Sequence, residues 1–147
     1  MSHFLFVAGA LRERSSQASV EMQLSYEVWG LRTALIRDNL RIYLTAESCG
    51  LVYALKLGIC AGFRILSEVL PPEALDGFVR EELRAETGYG FVRVQVTSQW
   101  ASTPESSQAL LHRILEVPDQ AELTRRLALG MHRLTLDQYG ALIKALG

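Results

Sequence analysis

The polar segment 9–16, GALRERSS, follows a predicted strand and precedes a predicted helix. Free backbone N–H groups at the start of a helix bind anions, so phosphates are often held at such junctions. The side chains there that can contact an anion are Arg12, Arg14, Ser15 and Ser16. The spacing matches no phosphate fingerprint, and the simpler interpretation is a polar loop in which Ser15 or Ser16 caps the helix.

Catalytic and metal-binding patterns are absent from the sequence. It contains no Walker A, GxSxG, GxGxxG or HExxH motif. His3, His112 and His132 lie far apart, and none has a second His or Cys at the spacing of metal ligands. Glu81 and Glu82 are adjacent, so they do not share a face of a regular element and fit a solvated surface better than a catalytic pair. We therefore expect no catalytic residues, no metal ion and no cofactor.

The composition is that of a globular protein, with 49% hydrophobic and 21% charged residues in a chain of 147. This length is sufficient to bury a core, and we expect a single domain over residues 1–147. The net charge of -1 does not indicate binding to nucleic acid or to anionic membranes. Six acids and only two arginines lie between Glu68 and Glu86, so the remainder of the chain is mildly basic.

Cys49 and Cys60 lie in apolar surroundings, and neither belongs to a CxxC pair. We interpret them as reduced, buried small hydrophobic residues. The apolar start of the chain has neither a basic region before it nor a clear cleavage site, so it does not resemble a secretory signal. Lys56 and two glycines interrupt the apolar run that comes closest to spanning a bilayer. The expectation is a cytoplasmic protein with no membrane partner.

The first half of the chain is predicted to contain strands and one helix. Residues 3–9 form a continuous apolar run, typical of a central strand buried on both faces. Apolar residues at four-residue steps predict a helix over 16–29 that ends at Gly30. Alternation over 39–45 predicts a strand with one buried side. The apolar segment 51–66, which contains glycines, predicts two strands or one strand bent by a bulge.

The second half is predicted to end in helices. Two prolines at 71–72 stop regular structure, and a short helix is expected near 73–85. Valines at alternate positions from Val92 predict a half-exposed strand that reaches Trp100. Three helices are predicted after this strand. The first begins at Thr103-Pro104-Glu105, the second follows Pro118 and ends at Gly130, and the third begins at the capping box 135–138.

The predicted order of elements is therefore β-α-β-β-β(-α)-β-α-α-α. There is no βαβ alternation and no internal repeat. This order favours an α+β fold in which flanking helices surround a mixed, curved sheet or a small open barrel.

The tetrapeptide Trp29-Gly30-Leu31-Arg32 is the most informative segment of the sequence. Taken alone, the tetrapeptide fits two interpretations equally well: a functional site, or a tryptophan that anchors the core beside a surface charge. Its context is more specific, because a buried strand and a helix precede it, while a short loop and an alternating strand with Tyr43 follow.

This arrangement resembles the EVE domain of the PUA-like superfamily, which begins with a strand similar to HFLFVAG and continues through a WGxR-like turn. The segment from residue 51 to Leu66-Ser67-Glu68 is similar to the central strand of that family, and HRLTLDQYGALIKAL is similar to its closing element. The resemblance covers nearly the whole chain, is specific in WGLR and in the ending, and is weak between residues 70 and 128. Arg37-Asp38 replaces the usual Gly-Asp, which changes the turn expected there.

The resemblance implies a PUA-like fold that binds nucleic acid, DNA or RNA, with a modified or flipped base in an aromatic pocket. Stacking of a base on an aromatic ring contributes on the order of 1–3 kcal/mol. The residues implied to bind the nucleobase are Trp29, as platform, with Gly30, Arg32, Tyr43 and Trp100, of which Tyr43 and Trp100 are candidate second walls. The residues implied to contact phosphate are Arg12, Arg14, His132 and Arg133. Sheet packing explains Tyr43 and Trp100 as simply, and a surface salt bridge explains Arg133.

An alternative on the same fold is a protein-interaction or small-ligand-binding domain without a nucleic-acid role. The near-neutral charge and the acidic segment 68–86 favour this alternative. It predicts no basic face at the cleft, and an apolar patch that forms a homodimer or docks a protein partner. The base-reading function instead predicts an exposed concave pocket beside Trp29 and binding that weakens with salt.

Overall fold

A computed structural model describes residues 1–8, 15–32, 40–83 and 89–147. The strands are β1 (His3–Ala8), β2 (Val28–Arg32), β3 (Cys49–Ala54), β4 (Gly58–Ile65), β5 (Tyr89–Gln99) and β6 (Met131–Leu134). The helices are α1 (Ser16–Ser25), α2 (Gly77–Leu83), α3 (Pro104–Ile114), α4 (Gln120–Leu127) and α5 (Leu136–Leu146), with 3-10 turns at Leu40–Tyr43 and Pro72–Ala74.

The six strands form one mixed sheet in the order β2-β5-β4-β3-β1-β6. β1 and β3 are parallel, and every other neighbouring pair is antiparallel. The register shifts between Val52 and Tyr53 and again between Gly62 and Phe63. Such bulges bend strands and increase twist, so the sheet curls into a half-barrel. The predicted α+β fold, a curved mixed sheet with flanking helices, is confirmed.

The central strand β1 divides the core in two because alternate side chains of a strand point to opposite faces. Phe4 and Phe6 project to the face covered by α1, which we call the α1 face. Leu5 and Val7 project to the other face, covered by α3, α4 and α5, which we call the α3–α5 face. β1 is therefore buried on both sides, as its continuous apolar run predicts.

The helix predicted over 16–29 ends early, at Ser25. The chain turns through Glu27, whose φ is 56°, and enters β2. Val28 and Trp29 bury their side chains in different cores on opposite faces, as a strand requires and a helix does not permit. Gly30 is accordingly a strand residue paired with Phe91, and not the end of a helix.

One further prediction of local structure is wrong, and one strand was not predicted. Over residues 39–45, the described part holds the 3-10 turn at Leu40–Tyr43 instead of a strand. Ile42 is 67% exposed while Leu44 is buried, so the alternating apolar residues do not share one buried side. The strand β6 has no counterpart in the prediction, since four residues are too few to show a period of two.

The remaining elements agree with the predictions. Of the two possibilities for 51–66, the structure has the two strands, β3 and β4, joined by a short turn. β5 ends at Gln99, beside the predicted limit at Trp100. Reciprocal side-chain and backbone hydrogen bonds cap α3 at Thr103 and α5 at Thr135.

Gly58, the first residue of β4, allows a close approach that no other residue permits. Its φ is +77°, and an added Cβ would lie 2.4 Å from Ser107 Oγ and 2.5 Å from the Thr103 carbonyl oxygen. The Ser107 hydroxyl accepts a buried hydrogen bond of 2.8 Å from the Ile59 N–H. This contact attaches the start of α3 to the sheet.

We expect Gly58→Ala to lower the free energy of unfolding by about 2–4 kcal/mol, because it adds backbone strain and disrupts the Ser107 hydrogen bond. Urea denaturation measures this loss. The matched control is Gly140→Ala within α5, where an added Cβ meets nothing within 4 Å. The control should raise stability by up to about 1 kcal/mol, as expected for Ala in place of Gly in a helix. Equal stability of Gly58→Ala and the wild type would contradict the requirement for glycine at position 58.

A chain of polar side chains joins α3 and α4 to the sheet. The Gln108 amide donates to Tyr53 Oη, and the Gln120 amide donates to Gln108 Oε1 and Thr124 Oγ1. The two ring nitrogens of His112 lie within hydrogen-bonding distance of the Val117 carbonyl oxygen and of Gln120 Oε1. Both partners are acceptors, so both nitrogens donate only in the imidazolium form. The hydrogen bonds to Gln120 and Val117 therefore raise the pKa of His112.

We expect His112 to stabilise the fold more at about pH 5 than at about pH 9. A pKa raised by folding contributes stability below the unfolded-state pKa, and that contribution is lost as the pH rises through the folded-state pKa. The measurement is the difference in unfolding free energy between the wild type and His112→Ala at both pH values. His3 and His132 are present in both proteins, so their contributions to this difference cancel. A difference that is larger at high pH would contradict the imidazolium assignment.

Candidate nucleic-acid interface

Trp29 lies in an aromatic cluster on the α1 face. Its ring centroid is 6.2 Å from that of Phe6 and 5.8 Å from that of Phe63, and the two phenylalanine centroids are 5.4 Å apart. The rings are tilted to one another, which is a favourable geometry for aromatic pairs. Only 4% of Trp29 is exposed. The expected exposed platform is therefore corrected to a buried ring, because this cluster fills the core between β1, β2 and β4.

Gly50 of β3 makes room for this cluster. A Cβ at Gly50 would lie 2.6 Å from Phe6 Cε2 and 2.7 Å from Phe63 Cε1. The two rings thus lie directly against the backbone of β3, and Trp29 packs on them. Neither phenylalanine nor this glycine stands out in the sequence, because their patterns indicate ordinary strand residues and nothing there links them to Trp29.

Tyr43 and Arg133 meet beside the same core, although 90 positions separate them in the chain. Tyr43 packs against the α1-face core that contains Trp29. Arg133 lies on β6 opposite Phe4, which directs its side chain to the α1 face. Its guanidinium carbon is 3.6 Å from the centroid of the Tyr43 ring, a cation–π contact. A guanidinium stacked in this way keeps its in-plane N–H groups available for a phosphate or a base edge.

His132 cannot act together with Arg133 on one phosphate. Consecutive strand residues point to opposite faces, and His132 lies opposite Leu5 on the α3–α5 face. Burial, and secondarily the charge of Arg126, lower the pKa of His132, which favours the neutral imidazole. Of these two predicted phosphate contacts, only Arg133 therefore shares the α1 face with Trp29.

Trp100 is separated from Trp29 by the sheet. It packs against the α3–α5 core, and its Cη2 atom would lie 3.3 Å from a Cβ added to Gly62. Trp29 belongs to the α1-face core. The expectation that Trp100 forms the second wall of a pocket with Trp29 is therefore corrected, and Tyr43 is the candidate wall that shares a face with Trp29.

The other predicted site residues contribute little to the described geometry. The Gly30 N–H donates to Gln23 Oε1 at 2.8 Å, and a Cβ at Gly30 would lie 3.1 Å from the Phe91 ring. Packing thus explains this glycine. Arg32 ends β2, and its side chain, like Arg12 and Arg14, lies outside the described residues. Ser15 caps α1 by accepting from the Ala18 N–H, which confirms the predicted cap.

Known proteins with this architecture are found among solved structures. Neither a protein-family model nor a curated protein matches the sequence. The chain is similar to the YTH domain-containing protein mmi1 in complex with RNA, with 9% identity, a TM-score of 0.67, and coverage of 99% of this chain and 80% of that one. It is similar to human THYN1 in complex with DNA containing 5-methylcytosine, with 15% identity, a TM-score of 0.61, and coverage of 99% and 97%.

A third similar structure is the Toxoplasma CPSF4 YTH domain in complex with an m6A-modified RNA, with 16% identity, a TM-score of 0.51, and coverage of 71% of this chain and 66% of that one. The fold is PUA-like. Identities this low establish the fold alone. The resemblance to the EVE domain is confirmed at that level, including the region between residues 70 and 128 where the sequence pattern is weak.

The acidic segment 68–86 and Arg133 pack at opposite ends of the strand order. Leu75 of that segment and Leu83 of α2 pack against Val28 and Phe91 at the β2–β5 edge. Arg133 lies on β6, the last strand at the other end of the strand order. The described part of the acidic segment is thus attached to a different edge of the sheet from the strand that carries Arg133.

Other kinds of site receive no support within residues 1–8, 15–32, 40–83 and 89–147. No group of three or more His, Cys, Asp or Glu side chains that could hold a metal ion is found there. In the same residues, no helix combines the length and hydrophobicity that a membrane crossing requires. Cys49 and Cys60 are free and partly buried, and burial raises the pKa of the Cys60 thiol, which disfavours a reactive thiolate.

We expect the two tryptophans to respond differently to a soluble quencher. Trp100→Phe leaves only the buried Trp29, so its emission should be blue-shifted and iodide should quench it weakly. Trp29→Phe leaves only the partly exposed Trp100, which should emit at longer wavelength and be quenched more strongly. Steady-state fluorescence with iodide titration measures both. Equal quenching constants in the two folded variants would contradict the assigned burial.

Proposed function

We propose that this domain is a non-catalytic nucleic-acid-binding module that recognises a modified or flipped base. One observation carries the proposal: Trp29, Tyr43 and Arg133 lie on one face of the sheet, and Arg133 stacks on the Tyr43 ring. Two aromatic rings and a guanidinium are the groups that a base and its phosphate require. Support also comes from the shared fold, whose solved members include complexes with RNA, with m6A-modified RNA and with DNA containing 5-methylcytosine.

In this proposal, Arg133 and Tyr43 make the first contacts. Arg133 has no ion pair or side-chain hydrogen bond within the described part of the chain, so its donors are free for a phosphate oxygen. The Tyr43 ring holds the guanidinium flat, which reduces the entropy lost when it binds. Arg32, Arg12 and Arg14 remain proposed phosphate or base contacts on the evidence of the sequence.

The base is proposed to stack within the cluster of Trp29, Phe6 and Phe63. Because only 4% of Trp29 is exposed, a base must displace side chains that now cover the ring. That cost favours a base that is already unpaired, so single strands should bind better than duplexes. A methyl group on the base adds apolar surface, and burying it contributes about 0.8 kcal/mol, or roughly a fourfold gain in affinity.

The proposal includes a cytoplasmic location and nucleic acid as the partner. The alternative is the protein-interaction or small-ligand-binding domain, for which the acidic segment 68–86 was the sequence-based reason. The Tyr43–Arg133 contact favours nucleic acid, because it places an exposed positive charge beside the aromatic core, whereas the alternative predicts no basic face there.

We expect Arg133→Gln to weaken binding of a labelled single-stranded oligonucleotide roughly tenfold, because it removes a charged hydrogen bond to phosphate. The slope of log K against log salt should fall by about 0.7, the value for one phosphate contact on a single strand. Fluorescence anisotropy with methylated and unmethylated oligonucleotides at two salt concentrations measures both. Lys144→Gln on the exposed side of α5 is the control for loss of one positive charge.

Tyr43→Leu should weaken binding less than Arg133→Gln does and leave the salt slope unchanged, because Arg133 keeps its charge and loses only the ring that holds its guanidinium in place. Retention of wild-type affinity and salt slope by Arg133→Gln would contradict the proposed interface. If the folded wild type binds none of the oligonucleotides, the protein-interaction alternative replaces the proposal.

A further inference from the structure

A second groove lies on the α3–α5 face, across the sheet from Trp29. It has a volume of about 620 Å³ and opens between the end of β5, α3 and the last turn of α5. Its walls are mixed: Trp100, Ala109, Leu110 and Leu146 supply the larger apolar part, and Gln99, Ser102 and Ser106 supply polar groups. Arg113 is the charged residue that lines it. An aromatic wall and a cation in one groove match a planar ligand that carries an anionic group.

Trp100 has the properties of a stacking platform. It is partly exposed, and its ring is fixed against the backbone of β4 at Gly62, where an added Cβ would lie 3.3 Å from Cη2. An alanine at position 62 would require the ring to shift by a few tenths of an ångström. The indole makes no side-chain hydrogen bond within the described residues, so its N–H donor remains available to a ligand. A ring that is already immobilised loses little conformational entropy when a base stacks on it.

Arg113 supplies the charge. It is exposed at the last turn of α3, and within the described part of the chain its guanidinium has neither an ion pair nor a hydrogen bond. The hydroxyl groups nearby are already engaged, since Ser102 donates to the Ile59 carbonyl oxygen and Ser106 belongs to the cap of α3. An anion in the groove would therefore be bound by Arg113.

The surface that continues from the groove along β4 and β5 is polar and carries two more arginines. Arg64 follows Gly62 on the same face of β4 and donates to Gln95 of β5 at 2.9 Å, and Arg93 is exposed two residues further along β5. Glu47 pairs with Arg64 at 3.6 Å and offsets part of its charge. Alternate strand residues lie ~6.6 Å apart, a spacing suited to successive groups of an extended chain.

We propose that this groove is a second nucleic-acid contact, in which a nucleotide of a single-stranded segment stacks on Trp100 and places its phosphate at Arg113. The segment then follows β4 and β5 past Arg64 and Arg93. This inference rests on the proposed function, and it adds a site on the opposite face of the sheet. A single strand fits better than an apolar peptide, because the ligand must combine a flat ring with a charge at Arg113 and then cross a polar, arginine-bearing surface.

Binding measurements with oligonucleotides of two lengths distinguish the two contacts. An oligomer of about 4 nucleotides occupies one contact, whereas one of about 16 nucleotides is long enough to reach both, given the usual range of single-strand site sizes. The wild type should bind the longer oligomer more tightly. Arg113→Gln and Trp100→Leu should each reduce that gain at least about fivefold, while the preference for a methylated short oligomer is retained.

Two controls accompany the measurement. Arg125→Gln on α4 removes one exposed positive charge outside the groove, and Glu122 keeps its second partner, Arg126. It should bind the longer oligomer as the wild type does. Thermal unfolding checks the Trp100→Leu fold, and Arg113→Gln, an exposed change, tests the site without disturbing the core. In the wild type, the longer oligomer should also protect the iodide-accessible tryptophan emission.

The outcomes distinguish the two proposals. If the wild type prefers methylated oligomers but both groove variants bind the longer one within about twofold of the wild type, the second contact is overturned and the proposed function stands. An equal loss of binding in Arg125→Gln also overturns the second contact, because it reveals a general effect of charge. If the wild type binds no oligomer, both proposals fail together.

Discussion

The packing of Phe6, Phe63 and Trp29 over Gly50 is the contact on which the rest of the structure depends. Its members come from β1, β4, β2 and β3, so one cluster ties four of the six strands together. It exists because Gly50 has no side chain, and it draws Trp29 inward. The same contact determines how the domain can bind a base. Trp29 is not an open platform, and a base reaches it only by displacing part of a close-packed core, whose rearrangement carries a cost in free energy.

The curled sheet places on opposite faces residues that the sequence analysis assigns to one binding site. Trp29 and Trp100 lie on opposite faces, and so do His132 and Arg133, because side chains alternate along a strand and because β1 is buried between two cores. The separation leaves an aromatic residue beside an arginine on each face: Tyr43 with Arg133 on the α1 face, and Trp100 with Arg113 on the α3–α5 face. The acidic α2 packs at the β2–β5 edge, so the net charge of the chain says little about either face.

Local patterns predicted much of the architecture. The apolar run of β1, the valine alternation of β5 and the caps at Thr103 and Thr135 are signals carried by neighbouring residues, and each was confirmed. The prediction failed where local propensity and tertiary pairing disagreed. Trp29 and Gly30 look like the end of a helix, but pairing with β5 makes them a strand. Leu40, Ile42 and Leu44 alternate like a strand, but Ile42 faces solvent. β6 is so short that only its pairing with β1 defines it.

The sequence by itself determined the fold class, the PUA-like resemblance and the residue types suited to bind a base and a phosphate. Those properties follow from periodicity, capping and motif, which neighbouring residues encode. Only the tertiary structure decided which of these residues share a face. It buried Trp29, joined Tyr43 to Arg133 and moved Trp100 across the sheet to Arg113. The physical reason is that a binding site is an arrangement of residues distant in the chain, and their positions depend on strand register and sheet curvature, which no local pattern specifies.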